Sequence, residues 1–377
     1  MESRKQIVIS GYYGSGNLGD EAILEALILS LRKKFDRDRV EIIVLSSNPS
    51  ETEETHGVEA VNRWHPLKVF RQLRSADVLI SGGGGLLQDT TSSVSLWYYL
   101  GVIWLAKLAG TPVYIVGQGL GPLNRRLNRL LVKFTVKQVE GLLVRDEFSS
   151  DLLRDMNVSD EKVVKGTDLA FLLPERKRDL DRFFSEPEPR IVAAALRNDI
   201  DGKMDVVRAV SSGLDLLNRK YDINVVLFST NSYADRQINQ DLCEATDASC
   251  NIIEVPHLSP PELVEMMEDI DLVIGGRLHA IVFSLLSQTP VQGISYDPKM
   301  DHLVDSINDI TGGKTVPLWH PEELINARDY LDDLQSVFEH RDEQRKDLGR
   351  AKEKLETEAR DKLGVALGWI GREIGYV

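Results

Sequence analysis

The chain has few cysteines and no long apolar run. Its 377 residues include two cysteines, Cys243 and Cys250, with no second pair to complete a four-ligand metal site. We therefore expect both thiols to be reduced and structural. No apolar run approaches the ~20 residues that a membrane-spanning helix needs, and the first residues lead directly into a predicted strand rather than into a signal peptide. These absences predict a cytoplasmic protein.

Positive charge is also scarce. Lys and Arg together number 45 against 59 Asp and Glu, which gives a net charge of −14. Binding to a nucleic acid backbone needs a net positive surface, so nucleic acid is excluded as the main partner. The hydrophobic content of 42% and the charged content of 28% are typical of globular proteins. At this length a single core stops growing, so we expect two domains.

Short apolar strands alternate with amphipathic helices along most of the chain, which predicts parallel sheets covered by helices. The alternation stops at residues 174–189, a charged stretch with three prolines, and then resumes. We predict an α/β protein with two Rossmann-like domains that face each other across a cleft, followed by C-terminal helices. The predicted boundaries are residues 1–173 for the first domain, 174–189 for a linker, 190–318 for the second domain and 319–377 for a C-terminal helical segment.

The strongest local signal lies at residues 271–280, where an apolar strand runs into two glycines and a helical pattern then resumes. Arg277 and His279 stand at that junction. The N-terminus of a helix favours anions, because its first N–H groups lack helical acceptors and its dipole is positive there. The segment therefore predicts a phosphate or carboxylate site beside a titratable group. The alternative is an ordinary strand-to-helix turn with a capping arginine and a core histidine.

A second glycine-rich loop, residues 14–19, matches the G-x-G-x-x-G pattern of dinucleotide-binding folds. Two features count against an oxidoreductase: the first glycine lies four residues past the strand, and Ser46-Ser47-Asn48 stands where a ribose-binding acid is expected. The loop instead presents Asn17 and Asp20, which suit sugar hydroxyl groups. Asp20 could equally be the N-cap of a helix that begins at Glu21.

A third loop, residues 82–85, consists of four glycines and is followed by Asp89. It is not a P-loop, because no Gly-Lys-Ser/Thr follows. Its bare backbone allows a ligand to approach closely, and Asp89 is a candidate acid or base. A tight crossing of two backbones is the alternative.

Taken together, the motifs resemble the polysaccharide pyruvyltransferases, in particular the CsaB type that pyruvylates cell-wall polymers. The six matching segments occur in order across both halves of the chain. They are Gly14 to Asp20, Gly82 to Asp89, Gly117 to Pro122, Val144-Arg145-Asp146, Arg277-Leu278-His279 and Tyr296-Asp297-Pro298-Lys299. The resemblance implies a glycosyltransferase-B-type fold and an enzyme that uses phosphoenolpyruvate as co-substrate. This enzyme would place a pyruvate ketal on a sugar of a lipid-linked cell-wall precursor, such as one with N-acetylmannosamine.

The resemblance also implies roles for particular residues. The second domain would hold phosphoenolpyruvate with Arg197, Arg277, Leu278, His279 and Lys299. The catalytic groups would be His279, Asp20 and Lys299, since an imidazole is suited to proton transfer near neutral pH and a lysine can neutralise the departing phosphate. The first domain would bind the saccharide with Gly16, Asn17, Asp20, Gly84, Gly85, Asp89, Gln118 and Arg145.

Each of these assignments has a simpler alternative. Arg145 and Asp146 could only bridge two helices, and Lys299 could be an ordinary surface lysine. A nucleotide-sugar glycosyltransferase or epimerase of the same fold, or a sugar- or anion-binding protein without catalysis, also remains open. No metal-ligand spacing occurs, so we expect neither an essential metal nor a tightly bound cofactor.

Residues 124–138 form a basic helical pattern in this acidic chain. It carries Arg125, Arg126, Arg129, Lys133 and Lys137 without an acid, and its apolar positions are Leu127, Leu130, Leu131 and Phe134. One interpretation is peripheral contact with an anionic membrane or with the diphosphate of a lipid-linked acceptor, each cation contributing ~1 kcal/mol. The other is an ordinary amphipathic helix with solvated cations.

For the apolar stretch 363–370, packing on the first domain is favoured over membrane contact.

Overall fold

The computed structural model describes residues 4–90, 92–175, 190–231, 234–253 and 258–376. Its contacts divide the chain into two compact units. Unit 1 contains Met1–Leu173 and Glu356–Val377, and unit 2 contains Pro174–Leu355. Each unit has its own parallel sheet.

The sheet of unit 1 has eight strands, and every recorded pairing in it is parallel. Its central strands are aliphatic and buried on both faces, as in sheets that helices cover on both sides. The order is β3-β2-β1-β4-β6-β7-β8, with β5 paired to β6. The strands are Lys5–Ser10 (β1), Val40–Ser46 (β2), Glu59–Asn62 (β3), Val78–Ser81 (β4), Gly84–Leu87 (β5), Val113–Leu120 (β6), Gly141–Val144 (β7) and Val163–Lys165 (β8).

The helices of unit 1 follow its strands. They are Leu18–Lys34 (α1), Pro49–His56 (α2), Pro66–Ser75 (α3), Ser93–Ala109 (α4), Arg126–Val136 (α5) and Glu147–Asp155 (α6). Helix α1 begins earlier than the sequence predicts, because Asn17 is its N-cap and accepts a hydrogen bond from the N–H of Gly19. The alternative that Asp20 caps this helix is therefore wrong. Asp20 lies in the first turn and is buried.

The sheet of unit 2 has six strands, again with every recorded pairing parallel, in the order β11-β10-β9-β12-β13-β14. The strands are Arg190–Ala195 (β9), Ile223–Leu227 (β10), Ser249–Ile252 (β11), Leu272–Gly275 (β12), Val291–Ile294 (β13) and Leu318–Trp319 (β14). The helices are Lys203–Tyr221 (α7), Arg236–Ala245 (α8), Pro260–Glu268 (α9), Leu278–Ser287 (α10), Pro298–Thr311 (α11) and Arg328–Glu339 (α12). The last helix, Arg341–Glu373 (α13), begins in unit 2 and ends in unit 1. The predicted α/β class with parallel sheets and C-terminal helices is confirmed.

Both strand orders reverse direction in the middle of the sheet. In unit 1 the reversal lies between β1 and β4, and in unit 2 it lies between β9 and β12. Loops that leave the carboxyl ends of strands at such a reversal diverge to opposite faces and open a crevice for ligands. The glycine-rich and arginine-bearing segments of the sequence lie at these two points.

The C-terminal helices are shared between the units. Residues 319–355 belong to unit 2 and Glu356–Val377 belong to unit 1. Leu363 and Ile370 are buried, and the ring of Trp369 covers Gly141, where an added Cβ would lie 2.6 Å from it. The apolar stretch thus packs on unit 1, as the sequence favours. Of the predicted linker, only residues 174 and 175 are among those described.

The prediction of reduced cysteines is wrong, since Cys243 and Cys250 form a disulfide. Helix α8 ends at Ala245 and β11 begins at Ser249, so the chain returns beside itself. The two Cα atoms lie 5.6 Å apart, within the range that a disulfide spans. Within the described part of the chain, no helix is both long and apolar enough to cross a bilayer.

Candidate active site

Two arginines lie at the strand reversal of unit 2, where β9 and β12 pair side by side. Gly275 is the register partner of Ala195, and the N–H of Gly276 donates to the Ala195 carbonyl at 2.9 Å. An added Cβ on Gly276 would lie 3.1 Å from the Cα of Leu196, so glycine permits this close approach. Arg197 and Arg277 leave the two strand ends from neighbouring positions.

The Arg277 guanidinium is held by Asp235, a residue that the sequence analysis does not identify. The Nε and Nη2 groups of Arg277 donate to the two carboxylate oxygens at 2.7 and 2.5 Å. Asp235 is fully buried, and it also accepts hydrogen bonds from the Ser229 hydroxyl at 2.7 Å and the Asn198 N–H at 3.1 Å. The bidentate pair uses two of the five N–H donors of the guanidinium. The others can bind an anion while the side chain stays fixed.

Arg197 is paired differently. It donates to the carboxylate of Asp199, whose side chain is 62% exposed, and its guanidinium lies over the Tyr296 ring at 4.6 Å. The hydrogen bond to Asp199 raises the pKa of Arg197. Burial raises the pKa of Tyr296, although the positive charges of Arg277 and Arg197 oppose this shift. Tyr296 therefore lies within electrostatic reach of both arginines.

The remaining predicted donor residues lie at two helix N-termini on the same edge of the sheet. Arg277 is the N-cap residue of α10, so Leu278 and His279 form the first turn of that helix. His279 is half-buried, with its ring centroid 6.1 Å from that of Phe283, so it does not belong to a fully buried core. Lys299 is the second residue of α11, and its N–H donates to the capping carboxylate of Asp297 at 3.1 Å.

In unit 1, four of the predicted saccharide residues form one cluster at the carboxyl ends of β4 to β7. Gly84 is the register partner of Gln118, and the N–H of Arg145 donates to the Gln118 carbonyl at 3.0 Å. An added Cβ on Gly84 would lie 2.4 Å from Oδ1 of Asp20. The structure therefore brings Asp20, Gly84, Gln118 and Arg145 together.

Several of these side chains are engaged within the protein. Arg145 is buried and donates to Asp168 at 2.9 Å, and Asp146 lies 3.7 Å away. Burial would lower the pKa of Arg145, but the two carboxylates outweigh it and the pKa is raised. The interpretation of Arg145 as a structural ion-pair partner fits this geometry better than ligand contact, with Asp168, which caps a single turn of 3-10 helix, as its principal partner.

Gln118 and Asp89 also form hydrogen bonds within the protein. Gln118 is fully buried and donates to the Ser81 hydroxyl at 2.7 Å. Asp89 accepts hydrogen bonds from the N–H groups of Asn124 and Arg125 and from the Asn128 amide, at 2.7 to 2.9 Å. Burial opposes ionisation of Asp89, yet these hydrogen bonds outweigh it and lower its pKa. The Asp89 carboxylate thus binds the backbone at the start of α5.

The glycine loops are packed more tightly than open ligand cradles would be. An added Cβ would lie 2.2 Å from the Tyr13 hydroxyl oxygen at Gly82 and 2.5 Å from the Ile23 side chain at Gly83. This favours the alternative of a tight backbone crossing for residues 82–84. Gly85 is half-buried, as are Gly16 and Asn17. The half-buried positions keep some access to solvent, and with it to a saccharide.

The contact between Gly84 and Asp20 gives a testable prediction. Gly84 has φ of +94°, and an added methyl group would collide with the Asp20 carboxylate. We expect Gly84→Ala to cost about 1–3 kcal/mol of stability and to displace Asp20. Gly101→Ala is the matched control, because Gly101 lies inside α4 with nothing within 4 Å of an added Cβ. The midpoint temperature of thermal unfolding should fall for Gly84→Ala and should stay the same or rise for Gly101→Ala.

An aromatic cluster in unit 1 also escaped the sequence analysis. The guanidinium of Arg63 lies over the rings of Tyr98 at 4.4 Å and Trp64 at 5.1 Å. It donates to the Gly11 carbonyl at 2.8 Å and to the Tyr99 hydroxyl at 3.0 Å. Arg63 is buried, whereas Trp64 is 62% exposed. The cluster fixes an exposed indole close to the glycine loop that follows β1, and aromatic faces of this kind pack well against apolar sugar faces.

Among the described residues, no group of three or more His, Cys, Asp or Glu side chains is placed to hold a metal ion. The candidate donor cluster consists of two arginines, a buried carboxylate and helix N-termini. Cations and helix N-termini favour anions as ligands.

The chain is similar in sequence to known proteins of polysaccharide biosynthesis. A model of the family described as polysaccharide pyruvyl transferase matches residues 17–298. The chain is similar to the amylovoran biosynthesis protein AmsJ of Erwinia amylovora, with 23% identity over 356 residues, covering 78% of this chain and 84% of that protein.

Solved structures show a shared fold. The complex of S. aureus MnaA with UDP has a TM-score of 0.64 at 13% identity and covers 99% of this chain and 98% of its own. Anabaena HepE in complex with UDP-glucose has a TM-score of 0.60 at 11% identity, covering 96% and 99%. At these identities the likeness establishes the fold alone, which is of the glycosyltransferase-B type.

Proposed function

The chain belongs to the polysaccharide pyruvyl transferase family, and we propose that it transfers pyruvate from phosphoenolpyruvate to a sugar as a ketal, with release of phosphate. Family membership supports a pyruvyl transferase that acts in polysaccharide biosynthesis. The observation that supports the donor is the Arg277 guanidinium, fixed by buried Asp235 at the N-terminus of α10. The donor is a co-substrate, and the proposal includes no tightly bound cofactor.

Phosphoenolpyruvate carries a phosphate and a carboxylate close together. Planar guanidinium groups can each bind one oxyanion in a bidentate manner, and Arg197 and Arg277 offer two of them from neighbouring strand ends. Asp235 is buried and stays paired with Arg277. Asp199 is largely exposed, so Arg197 can exchange its ion pair with Asp199 for one with the ligand. The N–H groups of Leu278 and His279 lie in the first turn of α10, where the positive end of the helix dipole favours an anion.

The reaction requires three proton transfers and two additions. A proton is added to the methylene carbon, which leaves an oxocarbenium-like centre at the phosphate-bearing carbon. A sugar hydroxyl adds to that carbon and loses its proton. The carbon–oxygen bond to phosphate then breaks, and phosphate leaves with the electron pair. A second hydroxyl adds to the resulting oxocarbenium-like carbon and loses its proton, which closes the ketal. We assign proton transfer to His279, charge neutralisation on the departing phosphate to Lys299, and contact with an acceptor hydroxyl to Asp20.

The acceptor completes the proposal. We propose a saccharide of the N-acetylmannosamine kind in a lipid-linked precursor of a cell-wall polysaccharide, which the loops of unit 1 around Gly16, Asn17 and Gly85 would contact. The exposed ring of Trp64 offers a stacking surface for the same sugar. A peripheral position at the inner face of the plasma membrane belongs to the proposal, since a lipid-linked acceptor resides in a bilayer.

A coupled assay tests the reaction. Incubation with phosphoenolpyruvate and a lipid-linked saccharide should release inorganic phosphate and yield a pyruvylated sugar, in the absence of any nucleotide. The alternative is a glycosyltransferase or epimerase that uses a nucleotide sugar, which the UDP complexes of the structural relatives favour. Turnover that requires a UDP-sugar and leaves phosphoenolpyruvate intact would establish the alternative. Binding of phosphoenolpyruvate without any turnover would indicate a non-catalytic binding protein.

A further inference from the structure

Helix α5 presents its large apolar side chains to solvent rather than to the core of unit 1. Leu127, Leu130 and Phe134 are 60%, 63% and 59% exposed, and Leu131 is 38% exposed. These residues recur at three- and four-residue spacing, so they form one stripe along the helix. The buried positions of the helix are Asn128, Val132, Thr135 and Val136.

The orientation of the helix has a physical cause in its contacts with α4. The indole N–H of Trp97 donates to Oδ1 of Asn128 at 2.9 Å, and that of Trp104 donates to Oγ1 of Thr135 at 2.9 Å. Asn128 also donates to Asp89 and to Ser93, and its side chain is almost completely buried. These polar contacts fix the polar positions of α5 inward, so its leucines must point outward.

The apolar surface continues onto α4. The Phe134 ring stacks on Trp104 with centroids 5.1 Å apart and planes 13° apart. Trp97 is 48% exposed and Val94 is 70% exposed on the same helix. The pairings of Trp97 with Asn128 and of Trp104 with Thr135 show that the two helices run side by side in the same direction. The exposed face therefore spans both helices, and we call it the α4–α5 face.

Cations border this face. Arg126, Arg129, Lys133 and Lys137 follow one another at three- and four-residue spacing, and no acidic residue occurs between positions 124 and 138. At 100° per residue these four positions form a second stripe beside the leucine stripe. Both stripes lie on the side of the helix that faces away from its buried positions. Arg129 lies 3.6 Å from Asp155, in a pair whose side chains are largely exposed. The α4–α5 face thus combines an apolar stripe with a parallel cationic stripe.

We propose that the α4–α5 face docks unit 1 on the surface of an anionic lipid bilayer. The leucine and phenylalanine side chains would lie at the boundary of headgroups and acyl chains, and the arginines and lysines would contact lipid phosphates. Leucine, phenylalanine and tryptophan beside a lysine- and arginine-rich flank are typical of helices that lie in the membrane interface. This docking goes beyond the proposed reaction, because it needs neither phosphoenolpyruvate nor a saccharide.

Charge favours a bilayer over a second copy of the chain as the occupant. The chain carries a net charge of −14, so a local cationic stripe departs from its general composition. In a two-fold symmetric dimer the same face would meet itself, which would bring two cationic stripes to one interface. An anionic lipid surface supplies the opposite charge across the whole stripe.

Flotation of the full chain with vesicles tests the docking. We expect it to float with vesicles that contain phosphatidylglycerol and to float poorly with phosphatidylcholine alone. The apolar variant, Leu127→Gln with Leu130→Gln and Phe134→Gln, should lose about tenfold or more of the bound fraction on the anionic vesicles. The cationic variant, Arg126→Gln with Lys133→Gln and Lys137→Gln, should bind as weakly as wild type does in high salt.

Matched controls come from exposed positions elsewhere in the chain. Met204→Gln with Ile325→Gln removes two apolar side chains that are 61% and 74% exposed in unit 2 and should leave flotation unchanged. Arg208→Gln with Arg350→Gln removes two exposed cations and should likewise have no effect. The substituted side chains are exposed or half-buried, so thermal unfolding should change little, apart from the lost stacking of Phe134 on Trp104 in the apolar variant.

Three results would overturn the proposal. The first is wild-type protein that does not float with anionic vesicles. The second is flotation that both the apolar and the cationic variants retain in full. The third is a dimer in solution that the apolar variant converts to a monomer, which would show that the face binds a second copy. None of these results bears on pyruvyl transfer, which is measured separately with a water-soluble acceptor.

Discussion

Arg277→Lys is expected to lower kcat/KM for phosphoenolpyruvate by on the order of 100-fold, with most of the loss in KM. Arg277 forms a bidentate pair with Asp235 through Nε and Nη2, and the rest of its planar fork remains for the donor. Lysine keeps the charge but is a compact ammonium on a flexible stem, so it cannot bind Asp235 and an oxyanion with the same geometry. Steady-state kinetics at varied phosphoenolpyruvate give the measurement.

The matched control is Arg208→Lys. Arg208 lies in the same unit with a side chain that is 75% exposed, and its partner Asp205 is one turn away on α7. Its kinetic constants should stay within about twofold of wild type, because exposed pairs contribute little. An Arg277→Lys enzyme with an unchanged KM would contradict the donor assignment.

A structural role of Arg277 can be separated from a binding role. Removing the guanidinium leaves Asp235 as a fully buried carboxylate without its cation, which typically costs about 3–5 kcal/mol. Arg277→Met combined with Asp235→Asn removes both charges and should recover much of that stability. If the arginine binds the donor, the double variant folds and remains inactive. Recovery of activity together with stability would assign Arg277 to structure alone.

His279→Gln is expected to lower kcat by about 10²- to 10⁴-fold with a smaller change in KM, since proton transfer by a positioned side chain contributes in that range. Glutamine retains hydrogen-bonding groups and similar size, but it cannot exchange a proton at neutral pH. His279 lies in the first turn of α10 and is half-buried, so the variant should fold normally. Single-turnover release of phosphate gives the measurement, and circular dichroism checks the fold.

His340→Gln is the control for this substitution. His340 lies at the C-cap of α12, where its Nδ1 is 2.9 Å from the Ser336 carbonyl oxygen and its side chain is exposed. It should keep kcat close to wild type. A His279→Gln enzyme that retains kcat and loses only affinity would make His279 a phosphate ligand rather than a proton carrier, and a protein that shows no turnover in either form would favour a binding function.

The donor cluster shows how far local sequence signals reach. An apolar strand and two glycines come directly before Arg277, Leu278 and His279. The strand, the turn and the start of the helix can therefore all be predicted from ten consecutive residues. Asp235 could not be found this way, because it lies 42 positions before Arg277 and no periodicity links them. Asp168 escaped for the same reason, as it lies 23 positions after Arg145. Long-range ion pairs of buried carboxylates become visible only when strand order is known.

The acceptor loops show where local signals are ambiguous. Glycines, Gln118 and Asp89 at strand ends suggest a ligand by composition, and in the structure Gln118, Asp89 and the glycines at 82–84 also have close contacts within the protein. Glycine has the same sequence signature whether a ligand or another part of the chain occupies the space beside it. The composition of a loop cannot distinguish these two uses.

The sequence by itself determined the alternation of strands and helices, the two parallel sheets and the arginine–histidine helix start, because each depends on residues close together in the chain. Only the tertiary structure decided which side of α5 faces solvent. The helical period places the leucines and Phe134 on one side of α5 and Asn128, Val132, Thr135 and Val136 on another, and either side could pack inward. The indole N–H groups of Trp97 and Trp104 on α4 donate to Asn128 and Thr135, which favours the second side as the inward one. Those partners lie 31 positions away along the chain, beyond the reach of any local pattern.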